Sequence, residues 1–134
     1  MSTDVNAGSR DRLEALRATQ LKKRLYTVFW INNPESTREQ HLAVLPIHLE
    51  FLLDLEQRGI LFASGPLSAP ESEQLAFNGI TMLRAASFDE AKLIVDREPF
   101  VTHGLRTYRL HAWELNEGSF SVRLSFATGT FEVP

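Results

Sequence analysis

Apolar and polar positions alternate or recur in a pattern that predicts four strands between about residues 25 and 115. Runs rich in β-branched and aromatic residues at 25–31, 60–64 and 79–84 are typical of strands. The segment 105–115 alternates between two sets of side chains, as a strand with two different faces does.

Two helices are predicted between these strands. The first begins at Ser36 or Thr37, either of which can cap a helix, and runs to Gly59. The second, 87–98, begins at a serine cap and ends before a proline. The resulting order β-α-β-β-α-β predicts an α+β ferredoxin-like domain over 25–115, with an antiparallel sheet carrying both helices on one face.

The chain ends are predicted to lie outside this domain. Residues 1–24 are expected to be flexible with a short helix from Asp11, because 1–10 are small and polar. Residues 116–134 form a C-terminal extension in which 119–126 alternates like an extra strand. We expect this extension to contact another subunit of an oligomer.

Composition narrows the class of protein. A length of 134 residues with 43% hydrophobic content suits one domain with one core. The 14 basic and 17 acidic residues give a net charge of -3, which argues against a nucleic-acid partner. The apolar stretches are too short to span a membrane, and the N-terminus lacks the pattern of a secretion signal, so a cytoplasmic protein is expected.

His48 is the first candidate for chemistry, because it stands in an otherwise apolar helical stretch. Histidine titrates near neutral pH and can act as acid, base or ligand. It can equally be a core residue that bonds a backbone carbonyl, and the residues alone leave both readings open.

His41 lies seven positions earlier on the same helix face, but no third ligand accompanies the pair, so no metal is expected. With no cysteine, no phosphate loop and no dinucleotide fingerprint, no cofactor is expected either.

The sheet face opposite the two predicted helices is expected to be buried by another layer of structure. A second copy of the chain, packed sheet to sheet, is the expected solution, giving a homodimer or a higher homo-oligomer. Trp30, Phe62 and Trp113 are candidates for that junction.

Three pieces of sequence follow one another with a characteristic spacing. They are the helix text of 41–59, the strand end Gly65-Pro66-Leu67, and the helix end of 98–105. In this order they resemble the YciI-related family of small proteins with a dimeric α+β barrel, and the resemblance covers roughly residues 25–115.

The resemblance implies a paired histidine and acid at a cleft beside the sheet. Carried over to this chain, the pair is His48 with Glu98, a departure because the family usually has Asp at the acidic position. The additional methylene of Glu allows the hydrogen bond to persist with a shifted ring. The remaining candidates for binding a small flat molecule are Phe62, Gly65, Pro66, Phe100 and His41. The family often has Arg where His41 stands, so His41 would bind an anion only when protonated.

The resemblance therefore implies a small-molecule enzyme of the lyase, isomerase or dehalogenase type. His48 would be its general acid or base, and the carboxylate would orient the imidazole. Two alternatives stay open: a non-catalytic protein that binds a small ligand in the same cleft, and an assembly partner whose C-terminal tail makes the contacts.

Overall fold

The computed structural model describes residues 3–134, apart from the side chains of residues 3–5, 76 and 77. The described chain forms two compact units. One is Arg24–Glu114; the other combines the residues up to Lys23 with Leu115–Pro134. The helices and strands in chain order are α1 (Thr3–Ala18), β1 (Lys23–Asn32), α2 (Arg38–Gln57), β2 (Leu61–Ser68), β3 (Leu75–Leu83), α3 (Phe88–Val95), α4 (Pro99–Thr102), β4 (Arg106–Leu115), β5 (Arg123–Ser125) and β6 (Thr130–Glu132).

The predicted ferredoxin-like fold is confirmed. Strands of the unit Arg24–Glu114 form a four-stranded sheet in the order β2-β3-β1-β4, with β3 antiparallel to both neighbours. Leu55 of α2 and Val95 of α3 pack with Val28 and Leu83 of the sheet, so both helices cover the same face. In the part of the chain that the structure describes, no helix is both long and apolar enough to cross a membrane.

Trp30 belongs to this core rather than to the open sheet face. It shares the strand parity of Val28 and is 7% exposed. Its indole N–H donates to Oγ1 of Thr81 on β3 at 2.9 Å. The prediction that Trp30 lies at a sheet-to-sheet junction is therefore wrong, because strand alternation turns it toward the helices.

The start of α2 follows the predicted capping chemistry. Thr37 is the N-cap and accepts a hydrogen bond from the Gln40 backbone N–H, while the Gln40 side chain accepts from the Thr37 N–H. This reciprocal box satisfies two backbone donors that the first helical turn leaves unpaired. The helix it fixes carries His48 in its middle.

Strand β2 extends beyond its predicted end. Gly65 and Pro66 were predicted to end the strand, but β2 continues to Ser68. Its pairing with β3 shifts register between Leu61 and Ala63 and between Pro66 and Ser68. Since β2 is the edge strand, the missing N–H of Pro66 need not break a ladder on the outer side. Gly65 and Pro66 are thereby held in the sheet.

The chain ends also differ from the prediction. Helix α1 begins at Thr3, well before Asp11, and ends at Ala18. Beyond the end of the helix, the Leu21 N–H donates to the Asn116 carbonyl. Within the strand predicted at 119–126, Arg123–Ser125 forms β5, which pairs with β6 in a separate two-stranded sheet.

Candidate active site

His48 and Glu98 form a direct hydrogen bond. Nδ1 of His48 lies 2.6 Å from Oε1 of Glu98, and the two side chains are 12% and 1% exposed. An ionised carboxylate only accepts hydrogen bonds, so Nδ1 carries the proton of this contact. The other ring nitrogen, Nε2, is then the one available for proton exchange. Phe100 packs against the imidazole with ring centroids 4.6 Å apart.

Glu98 is held by a turn between two helices. The sequence predicted one helix over 87–98, but α3 ends at Val95 and a new turn of helix begins at Pro99. Glu98 is the N-cap of this α4, and its Oε2 accepts the Val101 N–H at 3.2 Å. Proline suits the first helical position because the N–H it lacks has no partner within the helix.

Arg106 completes a buried ion pair on the other side of Glu98. Its Nε donates to Oε2 of Glu98 at 3.2 Å, and its Nη2 lies 3.1 Å from the same oxygen. The guanidinium also lies over two rings, with Cζ 3.6 Å from the Trp30 centroid and 4.6 Å from that of Phe100. The first residue of β4 is thus fixed by a carboxylate and by two aromatic faces.

Both members of this pair are charged at neutral pH. Burial alone raises the pKa of Glu98, but the hydrogen bond with His48 and the charge of Arg106 outweigh burial and hold that pKa below its ordinary value. Burial lowers the pKa of Arg106 to about 10 against the opposing charge of Glu98. The carboxylate beside His48 is therefore an anion and can stabilise an imidazolium.

The imidazole borders a cavity of about 410 Å³ between α2, the sheet and α4. This volume lies within the range of about 300–1,000 Å³ that is typical of small-molecule sites. The wall is mostly apolar, with a few polar groups. It consists of Trp30, Leu45, His48, Leu49, Leu52, Ser64, Gly65, Pro66, Asn78, Gly79, Phe100 and Arg106.

Three of the predicted binding residues lie on this wall. Gly65 and Pro66 come from β2 and Phe100 from α4. A Cβ at Gly65 would meet open space, whereas one at Gly79 would lie 2.8 Å from the Gly65 carbonyl oxygen. The glycine that the packing of β2 on β3 requires is Gly79.

Two predicted residues lie apart from the cavity wall. The ring of Phe62 lies beneath the Arg84 guanidinium, 5.0 Å from centroid to Cζ. His41 is 3% exposed, and its Nε2 is 2.9 Å from Oγ of Ser36. Burial, and then the charge of Arg106, lower the pKa of His41, so it is poorly suited to bind an anion.

Arg106 is the main site residue that the sequence argument missed. It shares a strand face with Tyr108, which packs against the core. A charged residue on the apolar, helix-facing side of a strand is the signal that could have identified it, since such a charge needs a buried partner. Among the described side chains, no group of three or more His, Cys, Asp or Glu could hold a metal ion.

Comparisons with known proteins agree with this fold. A search of curated proteins found no match. Among solved structures, the chain is similar to 5-chloro-2-hydroxyhydroquinone dehydrochlorinase (TftG) from Burkholderia phenoliruptrix AC1100, in complex with 2,5-dihydroxybenzoquinone. The TM-score is 0.57 at 20% sequence identity, and the match covers 66% of this chain and 92% of the other. The family model of the YCII-related domain matches residues 25–114. The chain therefore belongs to the YCII-related domain family.

Proposed function

We propose that this protein is a small-molecule enzyme in which His48 moves a proton and Glu98 orients its ring. The observation that carries this proposal is the 2.6 Å contact between His48 Nδ1 and Glu98 Oε1 at the wall of a cavity. A carboxylate in this position fixes the imidazole tautomer and stabilises its protonated form. Positioned acid or base catalysis contributes about 10²–10⁴ in rate.

The surroundings of the dyad support catalysis rather than a satisfied core histidine. A core histidine needs one partner, which a backbone carbonyl can supply. Glu98 instead receives hydrogen bonds from His48, the Val101 N–H and Arg106, so three groups hold the carboxylate in place. Orientation of a base by a third group is characteristic of catalytic constellations.

Elimination of a hydrogen halide from a ring compound is the reaction class we favour. The structural neighbour is by its name a dehydrochlorinase, and it was solved with a flat oxygenated ring compound. In such an elimination, the ring carbon that bears chlorine gains a proton as a neighbouring hydroxyl group ketonises, and Nε2 of His48 then takes a second hydroxyl proton while the carbon–chlorine bond breaks and chloride leaves. No redox partner is needed, because proton and chloride account for everything lost.

The test is chloride release from 5-chloro-2-hydroxyhydroquinone under anaerobic conditions, which prevent autoxidation of the substrate. We expect release in proportion to protein concentration and its loss in His48→Gln. If ring compounds bind but neither chloride release nor proton exchange with solvent occurs, the protein is a ligand-binding module instead.

We infer in addition that the protein is a homodimer joined through the open face of its sheet. On that face Phe29 is 40% exposed and, with Met82, His111 and Trp113, borders an apolar hollow of about 250 Å³. A contiguous apolar surface on a sheet face is typical of a protein contact. Light scattering coupled to size exclusion measures the oligomer directly, and a monomer at micromolar concentration would contradict the inference.

A further inference from the structure

Arg106 carries a buried donor, Nη2, that lies beside the Glu98 carboxylate without the geometry of a hydrogen bond. Its side chain is 4% exposed, and both Nε and Nη2 lie near Oε2 of Glu98. The Nε–H has the geometry of a hydrogen bond, whereas Nη2, at 3.1 Å, has no hydrogen-bond partner among the described residues. A buried donor in this state costs free energy, so its presence in a native fold needs an explanation.

The aromatic contacts prevent the guanidinium from turning to find a partner elsewhere. Cζ lies 3.6 Å from the Trp30 centroid and 4.6 Å from that of Phe100, and these rings fix its plane. Glu98 occupies the edge formed by Nε and Nη2. The remaining edge of the planar fork, to which Nη2 also contributes, is turned away from Glu98.

The cavity next to this fork suits a negatively charged ligand. Arg106, Trp30 and Phe100 all line it, and no Asp or Glu is among its described lining residues. Glu98 contacts Arg106 but does not line the cavity, so an anion inside would face the guanidinium with no carboxylate on the same wall. The leucines of α2 supply an apolar surface for the body of a ligand.

We propose that Arg106 binds the oxyanion of a flat ring compound in this cavity and sets its orientation toward His48. The acceptor is a carboxylate or a phenolate-type oxygen, since these match the planar donors of an arginine. This inference rests on the proposed use of the cavity as a small-molecule site, but it does not require that His48 transfer a proton.

Matched pairs of acids and amides test the proposal on the intact protein. Benzoate, salicylate and 2-naphthoate have nearly the same shape as benzamide, salicylamide and 2-naphthamide but carry a charge. We expect each carboxylate to bind at least tenfold more tightly than its amide by NMR titration, and to shift the guanidinium resonances of Arg106. Equal affinities, or binding of neither member of any pair, would overturn the proposal.

Variants locate the anchor within the cavity. Arg106→Lys keeps a countercharge for Glu98 but removes the fork, so the preference for carboxylates should fall about tenfold. Arg84→Lys is the matched control, because that guanidinium lies over Phe62 and not on the cavity wall. His48→Gln should retain the preference. If His48→Gln abolishes the preference and Arg106→Lys does not, an imidazolium is the anchor and the proposal is wrong.

The outcomes also separate this inference from the proposed function. If no turnover is found but the preference for carboxylates depends on Arg106, the inference stands and the enzymatic proposal fails. If chloride is released while acids and amides bind equally, the reverse holds.

Discussion

The two faces of the central sheet hold similar side chains in different electrostatic settings. On the helix-covered face, Trp30 and His48 border the cavity, and the histidine meets a buried carboxylate at 2.6 Å. On the open face, His111 and Trp113 border a hollow, and the histidine meets the edge of Phe29 with ring centroids 5.6 Å apart. One setting supports proton transfer, and the other supports contact with an apolar surface.

Strand alternation produces this difference. On β4, Arg106 and Tyr108 point toward the helices, while His111 and Trp113 border the opposite hollow. The helix-covered face can build a charged network because α2 and α4 bring further polar groups to it. The open face has no layer of this unit above it, so its histidine has only sheet neighbours. His48 therefore owes its charged partner to the packing of α2 and α4 over this face.

Exchanging the two histidines for glutamine gives the sharpest test of this comparison. We expect His48→Gln to lower kcat for chloride release by about 10²–10⁴, because the proton acceptor is lost. The matched change His111→Gln should leave kcat within about twofold. Steady-state kinetics measure kcat for both variants. Equal losses of kcat in the two would show that proton transfer is not confined to the helix-covered face.

The buried charges should also dominate stability on the helix-covered side. Glu98→Gln leaves Arg106 without its countercharge, and breaking a buried pair in this way costs about 3–5 kcal/mol of unfolding free energy. The control is Asp54→Asn, which breaks an ion pair with Arg58 whose side chains are 60% and 59% exposed. Such a surface pair contributes about 0–1 kcal/mol.

Urea denaturation at neutral pH measures both changes. A loss below 1 kcal/mol in Glu98→Gln would mean that Arg106 finds other compensation, and the network would then not be the rigid support that the dyad requires.

Loss of an apolar side chain from the open face of the sheet should weaken association of the proposed dimer. Phe29→Ser removes an exposed ring from the proposed dimer contact, and loss of a central anchor costs about 2 kcal/mol or more of association free energy. This corresponds to a rise of about 30-fold in the dimer dissociation constant. Sedimentation velocity over a concentration series measures it.

Leu53→Ser is the control for that experiment, since Leu53 is an exposed apolar residue of α2. It should leave association unchanged. An equal effect of both variants would point to general destabilisation rather than to an interface on the sheet.

The elements that follow short-range rules were predictable from the sequence. The four strands, the Thr37 cap and the start of α3 at Ser87 depend on residues within one turn or one strand. The end of β2 was not, because whether Pro66 stops a strand depends on its place at the sheet edge, which is a tertiary property.

The residues of the candidate site can likewise be separated into those that the sequence could predict and those that it could not. His48 stood out as a polar residue in an apolar helix, and the family resemblance supplied Glu98. The wall formed by Ser64, Asn78 and Arg106 draws on three strands, and their meeting depends on sheet order and register. Phe62 was expected at the cavity but lies beneath Arg84, since its contacts are set by neighbours far away in sequence.

The smallest expected effect concerns His41, which lies near the charged network but apart from the cavity wall. Burial, and then the charge of Arg106, lower the pKa of His41 below its ordinary value of 6.5. Well above pH 6.5, neither the folded nor the unfolded chain protonates this group appreciably. As the pH falls through 6.5, the unfolded chain takes up a proton that the folded chain resists, so stability decreases until the folded pKa is passed.

His41→Gln should remove this part of the pH dependence between pH 7 and 5.5. One proton can change the free energy of unfolding by at most about 1.4 kcal/mol per pH unit, and we expect His41 to account for a few tenths of this maximum. Thermal denaturation at several pH values measures it, with His103→Gln on the exposed helix end as the control. A steeper loss of stability with falling pH in His41→Gln than in the parent would contradict the sign, because it would mean that His41 binds its proton more tightly in the fold.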